Sequence, residues 1–247
     1  MNKSYYNYLA EDYNHKRRKP WKALEDFLQK IGINKLSPSG YCLDIGCGNG
    51  RNFPLISFTS NHIIGLDSSI ELLKFAQKNA HSFIEKKIER KPHIQLTLCS
   101  LDLLPIRSKT INSAYVIAVI HHIKESKNRK VIMQQIYNII KDNGWVIVSV
   151  WRKFQRKYRW FFLKDLMKRT LLHNYSKLQA KEGLGEFGDK LVPWTLSKEG
   201  KTYLRFYHFF SNKEAKNLMN DFKIEDITKL GGPGKKDNFF FLLRKAN

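Results

Sequence analysis

The chain has 247 residues, and its 44 Lys and Arg against 22 Asp and Glu leave a formal charge of 44 − 22 = +22. Hydrophobic residues make up 42% and aromatics 13%. That is enough apolar material for a core, which excludes wholesale disorder, and the length suits one domain carrying an elaborated insert. So large a positive excess favours a polyanionic partner, because each cation set against a phosphate releases condensed counterions.

Residues 1–36 form a helical, aromatic-rich lead-in to the domain that fills 37–247. Its end, Trp21 to Ile33, places apolar residues at Trp21, Leu24, Phe27, Leu28 and Ile31, which is helical spacing. The first twenty residues hold no apolar signal-like run, and no stretch approaches the roughly 18 apolar residues of a membrane span, so no membrane partner is expected. From Tyr41 short apolar runs alternate with helical stretches: YCLDI, HIIGLD, HIQLTL, SAYVIAVI and WVIVSV. The intervening helices are read at Ser69–Asn79 and Asn128–Lys141. This alternation predicts an α/β fold with a mainly parallel sheet and helices on both faces.

After Trp151 the alternation stops, and an insert runs over about 152–200. Ten basic residues lie between Arg152 and Lys181, opposed only by Asp165. Arg152, Lys153, Arg156 and Lys157 open this patch and are the candidates for holding a nucleic-acid backbone. The end of the chain, FKIEDITKL and NFFFLLRK around GGPGKK, predicts a hairpin closing the far edge of the sheet. The cysteines Cys42, Cys47 and Cys99 are too few for a disulfide framework and form no CxxC pair, so a reducing compartment and no metal are expected.

The most informative stretch is LDIGCGNG: an apolar strand ending in Asp44, then Gly46, Gly48 and Gly50. Glycines there let a ligand approach the backbone, and the following helix N-terminus favours a small anionic group. The GxGxG spacing differs from the dinucleotide GxGxxG. Asp67 closes the second strand, where a carboxylate can accept both hydroxyls of a ribose. His121 and His122 end the fourth strand, at the side of the sheet where α/β folds bind ligands.

On these residues the chain resembles the class I S-adenosylmethionine methyltransferases, which implies a Rossmann-like seven-stranded sheet whose last strand is antiparallel. By that resemblance Asp44, Gly46, Cys47, Gly48 and Gly50 hold the methionine part of S-adenosylmethionine, and Asp67 and Ser68 the ribose. Leu101 and Ala118 complete the site, with Ser100 standing where the superfamily commonly has an adenine-binding Asp. Six further patches are similar to the tRNA methyltransferases that esterify 5-carboxymethyluridine at the wobble position, a family that includes the methyltransferase domain of the AlkB-type tRNA hydroxylases. They are YNHKRRKPW, GCGNGRN, IAVIHH, LVPW, RFYHFF and KDN, and they span most of the chain. The family usually has small hydroxyl residues where this chain has Asn14, His15 and Lys16, and 155–188 matches poorly.

The resemblance implies a cytoplasmic enzyme, with nuclear presence compatible, acting on a tRNA anticodon stem-loop together with a small zinc-binding activator subunit. The chemistry fits: a carboxylate is already an anionic nucleophile at neutral pH and asks for positioning more than for a base. Arg17, Arg205 and His208 are the candidates for orienting that carboxylate, with His121 beside the methyl group. Trp194 and Tyr207 are the candidates for stacking on the uracil or a flanking base. Two alternatives remain at this point: a small-molecule methyltransferase of the quinone or lipid type, and a non-catalytic RNA-binding module.

Overall fold

The computed structural model describes residues 3–32, 36, 40–86 and 91–246. Two helices open the chain, α1 (Lys3–Lys16) and α2 (Lys22–Ile31); Ile33, the expected end of the second, lies outside the described residues. Then follow β1 (Tyr41–Ile45), a short α3 (Phe53–Ile56), β2 (His62–Asp67), α4 (Ile70–Lys86), β3 (His93–Leu98) and β4 (Ile111–Ile117). Next come α5 (Ser126–Ile139), β5 (Ile140–Trp151), α6 (Arg159–Leu171) and α7 (Tyr175–Lys181). The chain ends with β6 (Asp189–Thr195), β7 (Thr202–His208), α8 (Asn212–Leu218), β8 (Lys223–Leu230) and β9 (Asn238–Arg244).

Seven strands form one sheet in the order β3-β2-β1-β4-β5-β9-β8. The first five run parallel, and β9 lies antiparallel to both β5 and β8. Each parallel step needs a crossover, which is why helices intervene. The strands alternate strictly between two apolar layers. Leu43, Ala114, Val116, Val146, Val148, Phe239 and Phe241 pack on the side of α5 and α8. Cys42, Tyr115, Ile117, Trp145, Ile147, Phe240 and Leu242 pack on the side of α2, α3 and α4. Burial on both faces makes these strands read as nearly continuous apolar runs.

Several boundaries differ from the sequence reading, among them α4, which runs from Ile70 to Lys86 where Ser69–Asn79 is expected. The fourth strand stops at Ile117 instead of Ile120, because Ala118 takes φ +60° and the chain enters a 3-10 turn at Ile120–His122. The fifth strand starts at Ile140, directly after α5, and takes the Asn143-Gly144 turn into its own length as an irregularity opposite Ile111 and Ser113. The basic insert is built: α6 and α7 lead into an antiparallel hairpin of β6 and β7, a small second sheet above the carboxyl ends of the main strands. No helix of the described residues is long and apolar enough to cross a membrane.

Helix α1 crosses from the main body to this hairpin. Leu9 packs with Trp194 and Leu196, while Asp12 accepts hydrogen bonds from Trp194 Nε1 at 2.7 Å and the Ser197 amide at 2.8 Å. On its other side Asn14 Oδ1 accepts from Asn49 at 2.8 Å and Asn79 at 3.2 Å, which ties it to the glycine loop and α4. The far edge is pinned by Phe240, whose ring sits 5.2 Å from that of Trp21 and 5.3 Å from that of Phe27. Phe240 is fully buried. Phe240→Ala should therefore cost about 3–5 kcal/mol of unfolding free energy in urea titration; a loss below about 1 kcal/mol would mean this aromatic cluster does not hold α2 to the sheet.

Candidate active site

The glycine loop leaves β1 in a left-handed path. Gly46 has φ +73°, and a Cβ there would stand 2.4 Å from Val119, so no side chain fits. Gly48, at φ +58°, donates its amide to Asp67 Oδ2 at 2.9 Å. The other oxygen of Asp67 accepts from the Ser69 amide at 2.9 Å, so one carboxylate joins the loop to the start of α4. Gly50 serves the turn itself, since a Cβ would strike the Phe53 ring at 2.4 Å.

These elements open onto a cavity of about 530 Å³. Gly46, Cys47, Gly48, Asp67, Ser68, Leu101 and Ala118, all expected around a cofactor, line it. Asp44, in β1 two residues before Gly46, is buried, and among the described residues its Oδ2 has no hydrogen-bond partner. Burial, reinforced by the charge of Asp67, pushes the Asp44 carboxyl up to about 7. Such a group is costly in the free protein and gains when a ligand donates to it. Ser100 is not in the cavity wall; its hydroxyl donates to Asp102 at 2.8 Å.

The other half of the cavity is walled by Arg17, His121, Trp194, Arg205 and Tyr207. Arg205 is 9% exposed, and among the described residues its guanidinium makes no hydrogen bond or ion pair. It lies 4.4 Å from the centre of the Trp194 ring and 5.0 Å from that of Tyr207. Strand alternation places Arg205 and Tyr207 on the cavity side of β7 and sends His208 the other way.

His208 is thus corrected as a cavity residue. Its Nδ1 lies 2.8 Å from Asp189 Oδ1, in a buried cluster with Glu186 and Glu214. Arg129 pairs with Glu186 and Lys153 with Glu214, so cations already neutralise these carboxylates. Glu186, Asp189 and His208 bring ligand-type atoms within 4.8 Å of one another, and Arg129 and Lys153 already pair with two of the three carboxylates around His208. The cluster fastens the hairpin to α5 and α8.

Both stacking candidates are occupied. Tyr207 packs against Trp151 at 4.4 Å and His121 at 5.0 Å, two rings that themselves lie 5.5 Å apart, so it belongs to an aromatic cluster in the cavity wall. Trp194 stacks on Tyr13 at 6.0 Å and carries Lys16, Arg17 and Arg205 around its ring, so it serves as a platform for cations. The backbone candidates divide. Lys153 is 3% exposed and bonds to the Phe187 carbonyl and Glu214, so it is internal structure. Arg152 donates Nε to the Lys236 carbonyl at 2.9 Å. Arg156 and Lys157 are exposed, and Lys157 reaches the cavity mouth.

Several wall residues escaped the sequence reading. Tyr6 and Tyr13 come from α1, whose position above the cavity has no sequence signal. Arg51, Asp237 and Asn238 lay within patches already noted, GCGNGRN and KDN, and could have been taken from them. Trp151 ends β5, the carboxyl-terminal position where ligand residues are expected.

A family model described as a methyltransferase domain matches residues 13–227. The chain belongs to this methyltransferase family. Among curated proteins, it is 24% identical over 223 residues to the tRNA (carboxymethyluridine(34)-5-O)-methyltransferase of Schizosaccharomyces pombe, covering 87% of this chain and 84% of that one. It is 27% identical over 147 residues to the mouse tRNA (carboxymethyluridine(34)-5-O)-methyltransferase ALKBH8, covering 59% of this chain and 19% of the mouse protein. In fold, an S-adenosylmethionine-dependent methyltransferase of Methanosarcina mazei superposes with TM-score 0.67 at 19% identity, over 87% of this chain and 97% of that one.

In this methyltransferase the two histidines are held neutral. Burial takes His121 well below its usual range and His122 down to about 3, with Arg205 nearby adding to both shifts. His122 Nδ1 donates to the Phe206 carbonyl at 3.2 Å, and the Tyr6 hydroxyl lies 3.1 Å from the same nitrogen. Because both folded pKa values lie below the unfolded value near 6.5, the unfolded chain binds more protons once the pH drops below it. Stability should then fall from about pH 6.5 downward, by about 1 kcal/mol per pH unit for each histidine. His122→Gln should take about 1 kcal/mol per pH unit off the acid-side fall in urea titrations between pH 6.5 and 5, where the raised Asp44 carboxyl works in the opposite sense; an unchanged slope would contradict burial as the cause.

Proposed function

We propose that the chain is an S-adenosylmethionine-dependent tRNA methyltransferase that esterifies the carboxylate of 5-carboxymethyluridine at the wobble position. The observation that carries this reading is the buried guanidinium of Arg205, unpartnered among the described residues, lining the same cavity as the glycine loop. A guanidinium without a counter-charge in a closed site calls for an anion, and its planar fork matches a carboxylate through two parallel hydrogen bonds.

The cofactor half fits S-adenosylmethionine. The unpaired Asp44 oxygen, the left-handed Gly46 to Gly50 path and the Asp67 carboxylate supply the anionic and backbone groups that its ammonium, carboxylate and ribose require. When bound, that cofactor supplies an electrophilic methyl group on a sulfonium. The chain's own tasks are binding and orientation. Arg205 fixes the carboxylate, and Trp194 and Tyr207 fix Arg205 by stacking on it. His121, Trp151 and Tyr207 form an aromatic wall that excludes water. Keeping His121 and His122 uncharged spares a cationic sulfonium from repulsion, and no base is needed because the nucleophile is already ionised. Arg205 must not hold the carboxylate so tightly that the ground state is favoured over the transition state; stacking in place of a fixed salt-bridge cage serves that balance.

The target base must leave the anticodon loop to enter the cavity. Arg17, Arg156 and Lys157 stand at or near the mouth and take the backbone phosphates on either side of it. Such a substrate places the chain in the cytoplasm or nucleus. An activator subunit would dock at β3, which ends the sheet without a further strand among the described residues and exposes Leu98 at its end.

The test is transfer from methyl-labelled S-adenosylmethionine to tRNA containing 5-carboxymethyluridine, with the chain co-expressed with its activator. Label released by mild alkali identifies a methyl ester; alkali-stable label contradicts the esterification. Arg205→Gln should lower kcat/KM by about a hundredfold or more, with Arg205→Lys recovering little of it, since a lysine cannot present the fork. Asp44→Asn should weaken cofactor binding about tenfold or more while raising the melting temperature of the free chain, because a buried unpartnered charge is removed. A lowered melting temperature together with intact cofactor affinity would make Asp44 a purely structural residue.

A further inference from the structure

Helix α6 turns its ion pair inward and its apolar side outward. Its buried residues are Phe162 and Asp165, and Asp165 accepts hydrogen bonds from Arg169 at 2.8 Å and from the Tyr175 hydroxyl at 3.1 Å. On the opposite side Trp160, Met167 and Leu171 are 71%, 59% and 74% exposed, and Leu163 and the α7 residue Leu178 extend the same surface. The positions 160, 163, 167 and 171 follow helical spacing, so they make one stripe. Of the seventeen large hydrophobic residues exposed among the described residues, eight fall between 160 and 178. A helix packed on a body by its apolar face would show the reverse pattern.

The charges around this stripe have one sign. Arg159, Lys164, Lys168, Lys177 and Lys181 are all exposed, and no exposed acid lies between Arg159 and Lys181. A second copy of the chain would bring two basic faces together, which is unfavourable. An RNA backbone would satisfy the lysines but offers nothing that removes leucine and methionine side chains from water. The partner has to be apolar in its interior and anionic at its surface.

We propose that the α6–α7 face docks on an anionic lipid surface, with Trp160, Leu163, Met167 and Leu171 among the acyl chains and the flanking Lys and Arg against headgroup phosphates. The helix lies in the plane of the surface and does not span it. Long lysine stems reach past the apolar stripe to the headgroups.

The test uses the full chain sedimented with phosphatidylcholine vesicles, with and without phosphatidylserine. The expected result is about tenfold stronger binding to the anionic vesicles at low salt. The double variant Met167→Ser, Leu171→Ser keeps every charge and should lose about tenfold of that binding, with melting temperature and S-adenosylmethionine affinity unchanged because both residues are largely exposed. The emission of Trp160, taken as the difference between parent and Trp160→Phe, should shift to the blue on anionic vesicles. Equal binding by parent and double variant would reduce the effect to charge adhesion and overturn the proposal. So would a double variant that loses tRNA affinity and keeps vesicle binding, which would give the face to RNA. A parent that stays in solution with both vesicles overturns it as well, leaving an acidic protein groove as the remaining occupant.

Discussion

Taking a guanidinium out of water without giving it a carboxylate costs several kcal/mol, and a fold accepts that only where other contacts hold the group in place. Arg205 is held by stacking over Trp194 and Tyr207, and each of these is fixed in turn. Tyr207 packs on Trp151 from the end of β5 and on His121 from the turn after β4. Trp194 is anchored through Nε1 to Asp12 on α1. The hairpin, the lead-in helix and the carboxyl ends of two central strands thus converge on one cation. The resulting environment is apolar and aromatic, which strengthens any charge-assisted bond that a substrate carboxylate makes there.

The same helix that anchors Trp194 also binds the cofactor loop. Asn14 accepts from Asn49, the residue between Gly48 and Gly50, and Asn49 also donates to the Arg17 carbonyl at 3.0 Å. Asn7 accepts from the Ser69 hydroxyl at 2.7 Å, next to Asp67. One helix therefore touches both halves of the cavity through side-chain hydrogen bonds. Geometry at the glycine loop and geometry at Arg205 are mechanically joined, and this is how two ligands can be brought to one spot with the accuracy that in-line transfer demands.

Much of this was legible in the sequence. The strands β1 and β2 begin and end where their apolar runs do, because largely buried strands leave little ambiguity, and the half-exposed edge strand β3 keeps the bounds of its run as well. The glycine loop and Asp67 were legible because glycine is the residue that takes a left-handed path without strain, and an acid closing the second strand is a local feature. The errors have physical reasons too. His208 and Arg205 both stood in one aromatic strand, and sequence alone does not say which face of a two-stranded lid looks inward. Tyr207 and Trp194 were aromatic enough to stack on a base, yet in the fold their rings also pack on Trp151, His121 and Tyr13 and flank Arg205. Lys153 counted as one of ten basic residues, although its amine is spent inside the fold. The exposed leucines of α6 were read only as part of a basic tract, since the inward turn of Asp165 and Arg169 is visible only once the helix is seated.

The central claim is that Arg205 waits for a carboxylate. It is tested most directly by the affinities of two anticodon stem-loops, one with 5-carboxymethyluridine and one with the uncharged 5-carbamoylmethyluridine, for the parent chain and for Arg205→Gln in the presence of S-adenosylhomocysteine. The account predicts that the parent prefers the carboxylate about tenfold or more and that the variant binds both alike. Equal affinities in the parent, or a preference that survives in Arg205→Gln, would contradict it.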